Sequence, residues 1–381
     1  MKLSYRVLFG LILLINLFFI SCEQITNSDH ETEQITFIKT FLLENSEFAE
    51  IIALEDGSYI GVCSSGTVHE AEEIIMKFDE NGNKIWEKNY PELSGNVAHG
   101  AILSSNNEII LYGNDYIPGT YQTSVKLIKL DIEGNVLAES GFMTDQYSRS
   151  INGIEVDDGG FAFVGATTNE IGNKDLYVLK VDNNLNQEWS YTPNENFQLG
   201  IDIIQNSAGE LVVTSAGYDD YEDPSYYRFT LFSSSGNLIK ENKIYNPDHK
   251  AVSPLIHQVD TGYLVRAHSI NGISKFIKLN NDLEAEWEND FTANSYYTSI
   301  DFIKLTDGNC IAAFCNPNDE DKIGLCKVDG SGEMIWENSL WSTQEFFGGC
   351  IAEASDNGLI IGVTSGFSEI TLIKLDENGG I

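Results

Sequence analysis

The chain has 381 residues, 42% of them hydrophobic, with seven Pro and 33 Gly, which is ample for a large apolar core. Its formal charge of −36 excludes a nucleic acid or an anionic lipid surface as partner and favours cations or basic partners. That figure includes Lys2 and Arg6, so the chain after residue 21 carries −38.

Residues 1–21 read as a targeting segment. Lys2 and Arg6 precede the apolar run Val7–Ile20, which is too short for an ordinary membrane span and fits the hydrophobic region of a signal peptide. The run ends at Phe19-Ile20-Ser21-Cys22, which resembles the lipobox of bacterial lipoproteins, with Phe19 where that motif usually has Leu. The resemblance implies that Cys22 is lipidated and becomes the first residue of the mature chain. Residues 22–33 form a polar tether with Glu23, Asp29, Glu31 and Glu33, similar to the surface-export signals of Bacteroidota lipoproteins. It implies an outer-membrane anchor with the body outside the cell.

The body, residues 34–381, is one repeat seven times over. Gln34–Leu43 reads as a lone strand. A unit of four strands follows: Phe48–Glu55, Ser58–Ser64, Ile74–Asp79 and Lys84–Tyr90, with a tight turn at Asp56-Gly57. Equivalent turns fall at Asn106-Asn107, Asp158-Gly159, Ala208-Gly209, Thr261-Gly262, Asp307-Gly308 and Asn357-Gly358. Their spacing of about 50 residues is that of four-stranded propeller blades. Each unit also carries a second hairpin, seen as IIMKFDENGNKIWEKNY from Ile74 and again from Leu127, Val178, Phe229, Phe276, Leu325 and Leu372. The last copy stops at LIKLDENGGI without a fourth strand, and Phe37–Phe41 matches the missing Trp86–Tyr90. The expected fold is all-β: a seven-bladed β-propeller of four-stranded blades, closed by the N-terminal strand pairing into the last blade. The body is expected to be a monomer. The repeat resembles that of secreted Bacteroidota propellers built on "DGG-strand, LIKLD-x-x-GN-x-x-W", a resemblance that implies architecture and leaves function open.

Several side chains recur with the repeat. Trp86, Trp189, Trp287 and Trp336 stand on the outermost strand, where an indole can lie across the neighbouring blade. Lys77, Lys129, Lys180, Lys278, Lys327 and Lys374 precede the last apolar residue of the third strand, and Glu87, Glu288 and Glu337 on the next strand are their expected partners. Asp79-Glu80-Asn81-Gly82-Asn83 opens like a calcium loop but lacks the distant bidentate Glu. A turn accounts for all copies, including those with Leu185 and Leu283 in place of Gly. The turn also resembles the Asp-box of sialidases, but only Arg149, Arg228 and Arg266 follow the targeting segment, and the last two fall inside strands. The tryptophan stretch is similar to that of quinone-dependent propellers, which have eight blades and adjacent cysteines; neither feature occurs here.

No catalytic motif or metal-ligand spacing occurs among the six His, so no cofactor or metal is expected. Beyond Cys22, the five cysteines are odd in number and lack CxxC spacing, which is no disulfide framework. Cys310 and Cys326, on successive strands of one unit, could pair in an oxidising compartment. The first-to-second and third-to-fourth turns are short and alike and share one face of the ring. The other connections vary in length, and binding residues concentrate on variable loops of a rigid scaffold. The candidate binding face is therefore Tyr116, Tyr121, Tyr147, Phe197, Tyr218, Asp219, Asp220, Tyr221, Tyr226, Tyr227, Tyr296, Tyr297 and Phe346. Aromatic rings and carboxylates there suit an envelope protein or a glycan. The readings left open are an interaction module, a carbohydrate-binding or carbohydrate-active propeller, and a structural envelope protein.

Overall fold

The computed structural model describes residues 34–44, 46–66, 72–90, 97–116, 123–142, 148–168, 172–193, 198–218, 225–246, 251–269, 274–291, 298–316, 319–341, 346–365 and 368–381. Cys22 and the targeting and tether segments lie outside them. One compact unit spans Ile35–Ile381.

Its described residues form strands and no helix. β1 is Phe37–Leu42. Blade 1 is β2 (Ser46–Ala53), β3 (Tyr59–Ser65), β4 (Glu72–Phe78) and β5 (Lys84–Tyr90). Blade 2 is β6 (Val97–Leu103), β7 (Ile109–Tyr116), β8 (Thr123–Leu130) and β9 (Val136–Phe142). Blade 3 is β10 (Ser148–Glu155), β11 (Phe161–Thr168), β12 (Lys174–Val181) and β13 (Gln187–Tyr191). Blade 4 is β14 (Gln198–Gln205), β15 (Leu211–Gly217), β16 (Ser225–Phe232) and β17 (Leu238–Asn246). Blade 5 is β18 (Ala251–Val259), β19 (Gly262–Ser269), β20 (Ser274–Leu279) and β21 (Ala285–Phe291). Blade 6 is β22 (Thr298–Lys304), β23 (Cys310–Asn316), β24 (Asp319–Val328) and β25 (Met334–Trp341). Blade 7 is β26 (Phe346–Glu353), β27 (Leu359–Ser365) and β28 (Glu369–Leu375), with β1 as its fourth strand.

The seven innermost strands touch one another in sequence, and β2 meets β26, which closes the ring. β1 pairs antiparallel with β28, Phe37 opposite Lys374 as Trp86 is opposite Lys77. The expected closure is what the structure holds. Phe41 stacks on Phe78 of blade 1 at 5.1 Å between ring centroids, so β1 also binds blade 7 to blade 1. The apolar core is distributed in the same way. It falls into seven clusters, and each joins two neighbouring blades. A lone four-stranded blade cannot bury both faces, so blade packing and ring closure are one event.

The outer strands show how sequence sets that packing. Each aromatic ring at the Trp86 position lies over the left-handed residue of the next blade's outer turn, and that residue is glycine. A Cβ on Gly332 would come within 2.3 Å of Trp287, and one on Gly236 within 2.6 Å of Trp189. Trp86, Trp336 and Phe37 stand likewise over Gly134, Gly379 and Gly82. Two blades carry no ring there: Ala138 and Lys240 occupy the position opposite Lys129 and Leu231. The turns facing them are the two with leucine, Leu185 and Leu283, at φ 62° and 61°. Both leucines are buried. A branched chain in the left-handed region costs about 1–2 kcal/mol, and here the leucine fills the space that a missing ring leaves.

The lysine ring has different partners from those expected. Lys129 bonds Glu108 at 2.7 Å, Lys180 bonds Asp158 at 2.7 Å, Lys327 bonds Asp307 at 2.8 Å and Lys374 bonds Asp356 at 2.9 Å. All four acids belong to the first turn of the same blade. The lysines face the tryptophans across the ladder, whereas Glu87, Glu288 and Glu337 sit opposite Met76, Ile277 and Cys326, one residue along. Side chains alternate between faces, so those glutamates point the other way. Glu87 and Glu288 pair with Lys84 and Lys275 instead. In the outer turns, Asp79 accepts the N–H groups of Asn81 and Asn83 at 3.0 and 2.8 Å, which consumes the carboxylate within the turn. Cys310 and Cys326 are free, buried thiols: Cys326 faces Ala312, and Cys310 faces Val328.

Candidate functional site

Each innermost strand breaks register near its start. The ladder skips Ala49, His99, Ile151, Ile201, Ser253-Pro254, Ile300 and Phe347-Gly348, one bulge per blade. A bulge leaves the following backbone N–H without a ladder partner, and a buried N–H without an acceptor is costly. The seven groups concerned are those of Ile51, Ala101, Gly153, Ile203, Ile256, Phe302 and Ile351.

Four side chains, Glu50, Asn152, Asp202 and Asp301, satisfy all seven. Glu50 accepts from Ile51 and, across the interface, from Ala101 of blade 2. Asp202 accepts from Ile203 at 2.8 Å and from Ile256 of blade 5 at 2.7 Å. Asp301 accepts from Phe302 at 2.7 Å and from Ile351 of blade 7 at 3.2 Å. Asn152 accepts from Gly153, and its amide donates to Asp202 of blade 4 at 2.6 Å. The three remaining interfaces have other polar links. Tyr112 donates its hydroxyl to Asn152, in the space that the glycine at position 100 leaves open. His257 Nε2–H donates to the Phe302 carbonyl, and the Phe48 N–H donates to Thr364. Every pair of neighbouring blades is thus joined next to the axis.

Glu50, Asn152, Asp301, Tyr112 and Phe48 also line a central cavity of about 400 Å³. It is lined by the opening halves of all seven innermost strands, so its mouth lies on the face of the variable connections. Ile151, Ile201, Leu255 and Ile300 give an aliphatic collar, Glu47 stands beside it, and Glu50 and Asp301 face in. Ser253, at φ 49°, holds a strained bend in this wall. Burial, and then the charge of Asp301, push the Glu50 carboxyl up to about 8 against its two N–H donors. Burial raises Asp202 to about 7 in the same way, with Asp301 adding to it. Asp301 is itself raised by burial, while its N–H donors and the guanidinium of Arg266 on β19 pull it down. The charge of Asp301 therefore acts on both Glu50 and Asp202.

The candidate face divides. Tyr121, Tyr147, Phe197, Asp219, Asp220, Tyr221, Tyr296 and Tyr297 lie outside the described residues. Tyr116 ends β7, with its side chain outside them, and Tyr218 is half-buried after β15. Tyr226, Tyr227 and Phe346 differ from the expectation. They belong to β16 and β26 and are buried, because the strands begin earlier than the Asp- and Pro-rich run suggests. Sequence reasoning missed Glu50, Asn152, Asp202 and Asp301. Their signal is a polar residue six places before the first turn and followed by apolar residues, as in Glu50-Ile51-Ile52-Ala53 and Asp301-Phe302-Ile303.

The fold is that of a seven-bladed β-propeller. The chain is similar to the WD40 domain of Toxoplasma gondii coronin, with a TM-score of 0.59 and 6% identity over 91% of this chain and 89% of that one. It is also similar to the β-propeller domain of the Trilobed protease from Pyrococcus furiosus, with a TM-score of 0.53 and 10% identity over 88% and 97%. That domain has an open velcro topology, whereas here β1 closes blade 7. No protein-family model and no curated protein sequence matches the chain.

Proposed function

We propose that this protein is a lipid-anchored, extracytoplasmic binding module that engages an envelope protein with its variable-loop face, around the mouth of the central cavity. Propellers commonly serve protein interaction, though the fold also hosts enzymes and lectins, so the site must carry the reading. The observation that carries it is convergence. The cavity opens where the variable connections gather, while the opposite face is built of short, near-identical turns whose polar groups bond one another. The signal-like segment before Cys22 and the acidic tether support the location. Among the described residues a glycan platform has less support, because Phe48 and Tyr112, the aromatic residues of that set lining the cavity, are buried.

The test is cross-linking capture of the tagged, lipidated protein from its own cells, with bound proteins identified by mass spectrometry. The expected result is a specific outer-membrane protein, lost when residues 219–224 between β15 and β16 are replaced by a Gly-Ser segment that leaves the protein folded. Recovery of the same proteins with the replaced loop would overturn the reading.

A further inference from the structure

The channel mouth combines features that together select a ligand. An aliphatic collar of Ile151, Ile201, Leu255 and Ile300 lines the cavity together with Glu50 and Asp301, and Asp202 lies behind that lining, bonded to Asn152. Arg266 is the buried cation whose charge acts on Asp301. One guanidinium stands against three carboxyl groups, and burial raises each of the three above its ordinary range. Among the described residues, His99 and Tyr112 from blade 2, Glu47 beside Glu50, and the Cys350 thiol of blade 7 share the lining with Glu50. None of them is a fixed cation. Among the described residues no three His, Cys, Asp or Glu side chains stand close enough to hold a metal ion. A cation with an apolar body of its own matches both the carboxyl groups and the aliphatic side chains of this lining. A cavity of about 400 Å³ lies within the range of about 300–1,000 Å³ usual for small-ligand sites.

We propose that this cavity takes the side chain of a lysine from a protein partner, its alkyl stem against the isoleucine collar and its ammonium over Glu50 and Asp301. This rests on the variable-loop face being the working surface, and it names what that surface reads. A lysine has the two required parts, a four-carbon stem and a compact cation with three donors. The carboxylates spend part of their capacity on backbone N–H groups, and each keeps lone pairs for a further donor. The −36 charge of the chain draws basic partners toward the face. Seating the ammonium displaces the proton on Glu50, so binding strengthens as pH rises while lysine stays charged.

The experiment is methyl NMR of isoleucine-labelled protein, titrated with a blocked Gly-Gly-Lys-Gly-Gly peptide at about 0.15 M salt, where surface attraction is screened. The Ile151, Ile201 and Ile300 methyl signals should shift and saturate. The dissociation constant should fall by roughly 10- to 100-fold between pH 6 and pH 8.5. A norleucine peptide, which keeps the stem and drops the charge, should leave the signals in place. Glu50→Gln should remove the pH dependence. Ile300→Phe, which fills the cavity while keeping every carboxyl group, should abolish binding if Glu50→Gln fails to fold. Unmoved methyl signals, equal shifts with norleucine, or shifts with free 1,5-diaminopentane alone would each overturn the proposal. A partner captured as well by Ile300→Phe protein as by the native one would also overturn it, while leaving the variable-face reading intact.

Discussion

The exchange of ring for leucine between neighbouring blades makes a quantitative prediction. Leu185 is 1% exposed and sits in the cluster joining blades 2 and 3, against which Ala138 packs. Leu185→Gly removes a fully buried side chain, and large-to-small core changes of this size cost about 2–5 kcal/mol. Release of the left-handed leucine returns about 1–2 kcal/mol, of which the flexibility of glycine takes back about 0.5–1 kcal/mol. A net loss of about 2–4 kcal/mol follows. Ala138→Trp alone drives an indole into the space Leu185 fills, and overpacking costs about 1–3 kcal/mol. The double variant recreates the arrangement of Trp287 over Gly332, so its stability should return to within about 1 kcal/mol of the native chain. The coupling energy should exceed about 2 kcal/mol, well beyond the few tenths seen for independent sites. Urea denaturation of the four proteins, with midpoint and slope compared, reads this directly. Additive losses would refute the reasoning, because they would mean that residues 138 and 185 do not share one space.

Three further outcomes are expected. A chain beginning at Ser46, without β1, loses six paired residues and the half-buried Phe37 and Phe41; it should be less stable by on the order of 5 kcal/mol, and an unchanged melting temperature would disprove the closure. Asp202→Ala strands the N–H groups of Ile203 and Ile256 and the Asn152 amide, and should cost about 3 kcal/mol, visible as a lower urea midpoint; a midpoint equal to that of the native chain would mean that the carboxylate does not join the blades. Glu50 and Asp202 hold protons in the folded chain up to about pH 8 and 7, against ordinary values of 4.5 and 3.8. The folded state then binds more protons than the unfolded one between those limits, so their contribution is complete at low pH and is lost as pH rises toward 8. His257, depressed to about 4 by burial, acts oppositely and weakens the fold as pH falls below 6.5. His268, likewise depressed to about 4 by burial, adds to this, so the two histidines offset the two carboxyls between about pH 4.5 and 6.5 and stability should fall from there toward pH 8; Glu50→Gln should flatten that decline, and midpoints rising steadily to pH 8 in both proteins would contradict these assignments.

The ring, its blade count and its closing strand were legible because turn chemistry repeats at fixed spacing, and because Phe37–Phe41 carries the pattern of Trp86–Tyr90. The leucines at 185 and 283 were visible as departures from glycine, but their cause was not, since it lies on the adjacent blade across a gap of about 45 residues. The channel side chains were hidden for a different reason. A glutamate or aspartate in a strand reads as solvent-facing, and only the bulge turns it toward the axis and gives it backbone N–H groups to accept. The lysine partners were misassigned because Glu87, Glu288 and Glu337 stand one residue off the lysines' ladder partners and so face the other way, while the acids that hold Lys129, Lys327 and Lys374 lie in the first turn of the same blade. Tyr226 and Tyr227 were read as loop residues because the acids and Pro224 before them mask the start of β16.

The central claim is that the variable-loop face is the working surface. Cys63, Cys310, Cys326 and Cys350 are buried, and burial raises each thiol well out of its reactive range. With residue 315 changed to serine and the body freed of Cys22, a single cysteine can be introduced at Tyr218 on the variable face or at Asp282 on the short-turn face, and each labelled with a bulky maleimide. Binding of the labelled body to envelope fractions of its own cells then compares the two faces. The adduct at position 218 should abolish binding and the adduct at position 282 should leave it unchanged. Loss of binding from position 282, with binding kept at position 218, would contradict the account.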